Sequence, residues 1–263
     1  MIPMKKTRKK KPKKPESYAD RSYRKLASES GLVSTALRIE ETDLHILAKS
    51  DVTTAATNLI LQYRSQLEKY ILKNPSFSAT LDPLVNDKIA PPLVRDMLQA
   101  GIQAGVGPMA AVAGTIAEHV GVGLLKDGCH EVMVENGGDI FLSRFRDCSV
   151  AIFAGESPLS YKVGVRLAAD KMPVGICTSS GTVGHSLSLG DADSVTVIAS
   201  STPLADAAAT RLGNEVGRGR GGKAGLGNAL DKAGEIEGIR GVVVICGELM
   251  GAWGDVELVK LDL

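Results

Sequence analysis

The chain has 263 residues, of which 44% are hydrophobic and 23% are charged, so it can bury a substantial core and is too apolar to be disordered throughout. Its formal net charge of +1 is unevenly distributed, because residues 1–25 hold eleven Lys and Arg against two acidic side chains and the remainder carries a net charge of −8. The four cysteines are widely spaced, with no C-x-x-C pair and no histidine at ligand spacing, which argues against a zinc or iron–sulfur site and favours a reduced, cytoplasmic protein.

Residues 1–20 are predicted to be a disordered basic arm, and residues 21–263 are predicted to form a single domain. The run Lys5–Lys14 is interrupted by Pro12 and has no apolar surface to bury. Such a run is expected to be a solvated tail or to contact nucleic acid without sequence specificity. No apolar stretch of the length needed for a secretory signal follows it, and no apolar run reaches the roughly 18 residues of a membrane span. The sequence therefore predicts no membrane partner.

The first elements along the chain are read from apolar periodicity. Alternation over Ala36–Ala48 predicts a hairpin, and helical spacing predicts a helix over Thr53–Lys73. Pro91-Pro92 opens a second helix, which is expected to end at Gly101. Residues 107–125 are rich in Gly and Ala and are predicted to form a helix that packs close to another backbone.

The middle of the chain is predicted to consist mostly of strands. Asn136-Gly137-Gly138 lies between two apolar runs and is a strong hairpin signal, because glycine adopts the positive φ that a tight turn needs. Strands are expected at Glu131–Glu135, Asp139–Phe145, Val150–Ala154, Val163–Leu167, Val174–Thr178 and Val195–Ala199.

The last part of the chain is predicted to contain two helices and a closing hairpin. The helices cover Leu204–Leu212 and 228–237, with a Gly-rich loop at Gly213–Gly227 that contains Arg218, Arg220 and Lys223. The hairpin is expected to pair Gly241–Cys246 with Val256–Leu261. Because strands come in hairpins and helices do not alternate strictly with them, the fold class is predicted to be α+β.

A carboxylate and a hydroxyl occur four residues apart in the helix that follows Val195–Ala199. These side chains, Asp206 and Thr210, point the same way because residues at i and i+4 share a helical face. Together they make an oxygen half-site of the kind that Mg²⁺ accepts, with phosphate oxygens and water completing the octahedron. An acidic residue near a helix start also compensates the helix dipole. Spacing alone leaves both interpretations open.

Five short segments stand out along the chain: AAVAG at 110–114, NGGDI at 136–140, CTSSG at 177–181, GHS at 184–186 and LADAAAT at 204–210. Their content and order resemble the ApbE-like superfamily, whose characterised members are FAD:protein FMN transferases. The resemblance implies a fold of two T-fold-like α+β halves packed together, with mostly antiparallel sheets. It also implies a Mg²⁺-dependent enzyme that splits FAD and passes FMN to a Ser or Thr of an acceptor protein.

The same resemblance assigns roles to individual residues. Asp206, Thr210 and the backbone carbonyl at Ala113 correspond to the Mg²⁺ ligands, and His185 corresponds to the base that acts on the acceptor hydroxyl. Two segments correspond to the lining of the flavin-nucleotide pocket: Asn136, Gly137, Gly138 and Asp139 in the first, and Thr178, Ser179, Ser180 and Gly181 in the second.

The chain also departs from the transferase pattern in several respects. Ala113 stands where the family usually carries Lys, the run Ser186–Gly190 lacks the usual Asp-Pro, and no lipoprotein signal is present. These departures place the chain in a compact, cytoplasmic branch of the superfamily. One alternative is therefore a non-catalytic flavin or pterin-nucleotide binding protein of the same fold. In a further alternative the basic arm is the functional segment, and it binds the acidic remainder of the chain to RNA or another phosphate-rich partner.

Overall fold

An antiparallel sheet of eight strands forms the centre of the protein. The computed structural model describes residues 31–181, 191–217 and 222–261, so the predicted basic arm and His185 lie outside the described residues. The strands are β1 Val33–Ile39, β2 Thr42–Ala48, β3 Val132–Asn136, β4 Asp139–Ser143, β5 Cys148–Ala151, β6 Val163–Leu167, β7 Val174–Ser179, β8 Ser194–Ala199, β9 Ile239–Cys246, β10 Leu249–Gly254 and β11 Glu257–Lys260. The large sheet has the order β1-β2-β3-β4-β7-β8-β9-β10, and a small sheet has the order β11-β6-β5.

Helices connect the strands and cover one face of the large sheet. They are α1 Thr53–Lys73, α2 Ser76–Ala79, α3 Pro92–Ala104, α4 Val112–Lys126, α5 Thr202–Val216 and α6 Lys223–Ala233, with a 3₁₀ turn at Pro108–Ala111 leading into α4. The helix over Thr53–Lys73 has the predicted bounds, because its apolar positions recur at helical spacing and Asn74-Pro75 ends it.

The element order divides the large sheet into two similar halves. In the first half the hairpin β1–β2 is followed by helices and the hairpin β3–β4, and in the second the hairpin β7–β8 is followed by α5, α6 and the hairpin β9–β10. The halves join through the antiparallel pairing of β4 with β7. This is the mostly antiparallel α+β architecture of two packed halves that the resemblance implies.

Two hydrophobic clusters hold the layers together. One lies between the helices and the large sheet, and the other lies between the opposite face of the large sheet and the small sheet. Successive residues of β7 alternate between them, because Ile176 packs in the second cluster and Cys177 in the first. Side chains on the helix-covered face are therefore enclosed by α4 and α5.

Several predicted boundaries are wrong, among them the end of α3, the extent of the Gly-rich loop and the partner of the last strand. The helix α3 continues past Gly101 to Ala104 and ends at Gly105, which has the left-handed φ of +71° that terminates helices. Gly101 instead leaves room for the chain to fold back, since a Cβ there would lie 2.8 Å from the Val106 carbonyl oxygen. The Gly-rich loop is also shorter than predicted, because α5 runs to Val216 and α6 begins at Lys223. Arg218 and Arg220 lie outside the described ranges.

The closing hairpin is the third correction. Strand β9 pairs with β10, and β11 pairs with β6 in the small sheet instead. The sequence of β10, LMGAWG, has two glycines and no clear alternation, so it carries a weak strand signal. Gly251 suits this strand because a Cβ there would come within 2.6 Å of Leu226 and 2.8 Å of Leu230 on α6.

One helical stretch in the described part of the chain, Pro108–Lys126, is long and apolar enough by length and composition to cross a membrane. More than half of it, 56%, is buried inside the protein. Its apolar side chains pack in the cluster between the helices and the large sheet, so the fold itself accounts for its apolar character.

Candidate functional site

The strands β3, β4 and β7 place three polar side chains in one row on the helix-covered face of the sheet. Asn136 pairs with Asp139 across the hairpin, and Asp139 pairs with Cys177 on the neighbouring strand. All three side chains are buried, and Asp139 is only 7% exposed. The row lies at the end of β3, where the Asn-Gly-Gly turn begins.

The first turn of α4 lies over this row and makes two hydrogen bonds, one to Asp206 on α5 and one to Asn136 in the row. The Gly114 N–H donates to Oδ2 of Asp206 at 2.8 Å, and the Nδ2 amide of Asn136 donates to the Ala113 carbonyl oxygen at 3.1 Å. Asp206 therefore accepts from one of the backbone N–H groups that a helix start leaves without an intrahelical partner. The contacts bring together Ala113, Asn136 and Asp206, which were assigned to one site from the sequence.

Glycines allow α4, α5 and β7 to approach this closely. A Cβ at Gly114 would lie 2.7 Å from the Thr202 carbonyl oxygen and 2.8 Å from Cβ of Asp206. A Cβ at Gly175 would lie 2.5 Å from Cα of Thr202. Any side chain at either position would push α5 away from its neighbours, so these glycines fix where Asp206 stands.

Two buried carboxyl groups without a cationic partner define the electrostatics of the site. Burial raises the pKa of Asp206 to about 7, and burial together with the charge of Asp206 raises the pKa of Asp139 well above its usual range. Cys177 lies beside Asp139, and burial together with the charge of Asp139 raises the pKa of that thiol. Within the described ranges no salt bridge involves Asp139 or Asp206. A bound cation would supply the charge that these carboxylates lack.

The Asn-Gly-Gly turn has the backbone geometry expected from its sequence. Gly137 and Gly138 have φ values of +69° and +110°, which glycine adopts without strain. The Gly138 N–H donates to Oε1 of Glu135 at 3.0 Å, a contact that sequence reasoning missed. Glu135 lies on the opposite face of β3 from Asn136, and its charge adds to the rise in the pKa of Asp139.

The segment Thr178–Gly181 is divided by the alternation of β7. Ser179 points to the same face as Cys177, and its buried Oγ has no hydrogen-bond partner among the described residues. Thr178 points to the other face, where its Oγ1 lies 2.9 Å from Oγ1 of Thr196. The Gly181 N–H donates to the Ala192 carbonyl oxygen at 3.0 Å. Within this predicted pocket segment, the Ser179 hydroxyl is thus available to hydrogen-bond a ligand. The Thr178 hydroxyl is already paired with that of Thr196.

The donors around Asp206 fit a hard cation better than a soft one. Thr210 follows Asp206 by one turn on α5, and the Ala113 carbonyl lies at the start of α4, next to Gly114, which donates to Asp206. Within the parts of the chain that the structure describes, no group of three or more His, Cys, Asp or Glu side chains could hold a metal. A cation here would therefore depend on a mixed set of carboxylate, hydroxyl and carbonyl oxygens completed by a ligand, which is the coordination that Mg²⁺ favours.

In the presence of a chelator, which removes any bound cation, the free energy of unfolding is expected to fall as pH rises. Asp206 contributes to this fall. Its pKa is about 7 in the folded protein against an ordinary 3.8, so the folded state holds this proton more tightly than the unfolded state. The resulting stability is complete below pH 4 and disappears as pH rises through 7. Asp206→Asn keeps an acceptor for the Gly114 N–H but does not titrate, so its pH dependence should be shallower. Urea unfolding midpoints from pH 4 to 8 in chelator measure both proteins, and parallel curves would contradict the assignment.

Comparison with known proteins gives the chain its family. A sequence profile described as "AbpE bacteria" matches residues 24–257. The UPF0280 protein of Methanocaldococcus jannaschii is 46% identical over 211 residues, which cover 79% of this chain and 84% of that protein. The UPF0280 protein of Methanococcus aeolicus is 40% identical over 236 residues, 88% of this chain and 94% of the relative.

Solved structures agree with this assignment at the level of the fold. The flavinyl transferase ApbE of Pseudomonas stutzeri in its apo form has a TM-score of 0.55 at 14% identity, covering 84% of this chain and 94% of that one. The ApbE protein of Thermotoga maritima has a TM-score of 0.55 at 12% identity, with 84% and 97% covered. At such identities the likeness concerns the fold alone. The sequence matches and the shared architecture together establish that the chain belongs to the ApbE-like family and, within it, groups with the UPF0280 proteins.

Proposed function

We propose that the protein is a cytoplasmic, Mg²⁺-dependent enzyme that binds FAD, splits its pyrophosphate and transfers FMN to a Ser or Thr hydroxyl of an acceptor protein. The observation that supports this most directly is the pair of buried carboxyl groups, Asp139 and Asp206, with no cationic partner among the described side chains. Two buried like charges are costly unless a cation or a proton neutralises them. The ApbE structures that share this fold are named as flavin transferases, which suggests the substrate class.

In this proposal the cation is held by Asp206, Thr210 and the Ala113 carbonyl. When bound, Mg²⁺ would neutralise charge on the pyrophosphate oxygens. When ionised, Asp139 would add a second negative charge close to Asp206 and increase the attraction for the cation. Asn136 donates to the Ala113 carbonyl and so orients it at the start of α4.

The flavin nucleotide is proposed to lie along the Asn136–Asp139 turn and the Thr178–Gly181 segment. Glycines at 137 and 138 have no side chain to obstruct a ligand, and the unpartnered Ser179 hydroxyl can donate to a phosphate oxygen. The acceptor hydroxyl attacks the phosphorus of the FMN moiety, the bond to the bridging oxygen breaks, and AMP leaves. His185 is proposed to take the hydroxyl proton, because a histidine has a pKa suited to a base near neutral pH.

A second function has its own support in the sequence. Ser186–Gly190 lacks the Asp-Pro that follows the histidine in family transferases, and Ala113 replaces their lysine. The first departure affects the part of the protein that would handle an acceptor, and the second lies at the proposed cation site. A non-catalytic protein that binds a flavin or pterin nucleotide is the alternative that these departures favour.

Incubation of the purified protein with FAD and Mg²⁺, with and without chelator, separates these functions. The enzyme is expected to release AMP and FMN, or AMP with protein-bound FMN when an acceptor is present, and chelator should stop the reaction. Chromatography of FAD, FMN and AMP measures the products. Stoichiometric retention of intact FAD would support the binding function, and absence of both cleavage and binding of FAD would contradict the enzyme and the flavin-binding function.

A further inference from the structure

The helices α4 and α5 are joined by two hydrogen bonds in which each helix caps the first turn of the other. The Gly114 N–H of α4 donates to Asp206 of α5 at 2.8 Å, and the Thr202 N–H of α5 donates to Oε2 of Glu118 on α4 at 2.6 Å. Glu118 lies one turn after Gly114, and Asp206 lies one turn after Thr202. Each of the two carboxylates thus accepts from a backbone N–H in the first turn of the other helix, although only Asp206 faces Asp139.

The first turn of α5 is confined from several sides. The absence of a side chain at Gly114 and Gly175 lets α4 and β7 approach Thr202, and the Thr202 carbonyl oxygen accepts from the Cys177 thiol at 3.5 Å. The Ser201 hydroxyl accepts from the Leu204 N–H at 3.4 Å, so the usual cap of this helix satisfies a different donor. The Thr202 N–H therefore relies on Glu118 as its hydrogen-bond acceptor.

Loss of that acceptor would have a specific consequence. Thr202 is fully buried, and a buried N–H without a partner is unfavourable, so the first turn of α5 would shift toward a new partner or water. Asp206 follows Thr202 by one turn on a rigid helix and would move with it. A displacement of this size matters because Mg²⁺ tolerates little departure from its preferred ligand geometry.

We propose that Glu118 is a positioning residue for the cation site, which holds Asp206 in place by anchoring the first turn of α5. This inference rests on the cation site of the proposed function, and it adds a residue that neither the resemblance nor the sequence pattern assigns. The carboxylate of Glu118 does not contact the cation. It acts through Thr202 and the helix that carries Asp206.

A nearby carboxylate provides a matched control. Glu118 and Asp96 both line a cavity of about 350 Å³ between α1, α3 and α4. Oδ2 of Asp96 lies 2.7 Å from Nε2 of His119, and Asp96 makes no hydrogen bond to α5. Asp96→Asn therefore alters the same cavity and leaves the anchor of α5 intact.

The test measures Mn²⁺ binding as a stand-in for Mg²⁺, from the loss of the free-ion electron paramagnetic resonance signal. Glu118→Ala is expected to weaken binding by about 10- to 100-fold, as removal of groups that orient metal ligands commonly does. Glu118→Gln keeps an oxygen that can accept from the Thr202 N–H, so its Kd should stay close to that of the unaltered protein, as should that of Asp96→Asn. Circular dichroism and Tm values confirm that each variant is folded at the assay temperature.

Each other result would overturn the inference. If Glu118→Ala binds Mn²⁺ as the unaltered protein does, Glu118 does not position the site. Equal weakening in Asp96→Asn, or failure of Glu118→Gln to restore binding, would point to general damage instead of a lost anchor. If the unaltered protein itself binds no Mn²⁺, the cation site of the proposed function is wrong as well, and that result is distinct from the others.

Discussion

Asp206→Ala is expected to abolish chelator-sensitive FAD cleavage, with a loss of about a thousandfold or more in kcat/KM. The variant removes the carboxylate of the proposed cation site, and a bound cation supplies several kcal/mol of transition-state stabilisation in phosphoryl transfer. Rates of AMP release at saturating Mg²⁺ measure the effect. Asp231→Ala, the same substitution at an exposed position on α6, is the matched control and should leave the rate unchanged.

Asp206→Asn separates the two interpretations that spacing left open. The asparagine retains an oxygen that can accept from the Gly114 N–H, so it preserves the cap of α4 and removes only the charge. If Asp206 serves the cation, Asp206→Asn should be nearly as inactive as Asp206→Ala. Retained FAD cleavage in Asp206→Asn would mean that Asp206 is a helix cap and that the cation ligands lie elsewhere.

Gly175→Ala is expected to have the largest effect on stability, a loss of about 1–3 kcal/mol in the free energy of unfolding. The added Cβ would lie 2.5 Å from Cα of Thr202 and 2.8 Å from its Oγ1, and backbone has to move to relieve this contact. Because this contact is with the first turn of α5, which carries Asp206, Mn²⁺ binding at Asp206 should weaken together with stability. Urea denaturation and the Mn²⁺ titration measure the two effects on the same variant.

Gly227→Ala is the control for this stability prediction. Gly227 lies inside α6 and a Cβ there would have no neighbour within 4 Å. Alanine is the better helix former, so the variant should be neutral or more stable by up to about 1 kcal/mol. Equal destabilisation of Gly175→Ala and Gly227→Ala would show that close approach of Thr202 is not the cause.

The local elements were predictable where sequence periodicity and turn chemistry agree. The helix over Thr53–Lys73 and the strand Val163–Leu167 have the predicted bounds, and the hairpin around Gly137-Gly138 forms where Asn-Gly indicates it. Prediction failed where one signal had two meanings. Gly101 looked like a helix terminator, yet it serves close packing, and the left-handed termination occurs at Gly105.

The sequence by itself determined the α+β class, the family and the order of the site segments, because periodicity, turn residues and motifs are local properties of the chain. Only the tertiary structure decided which of these segments share a face. Strand register places Asp139 beside Cys177 and turns Thr178 away, and helix packing brings Glu118 to Thr202 across 84 residues of sequence. Register and helix packing depend on contacts between distant residues, and no local pattern encodes which distant partners will meet.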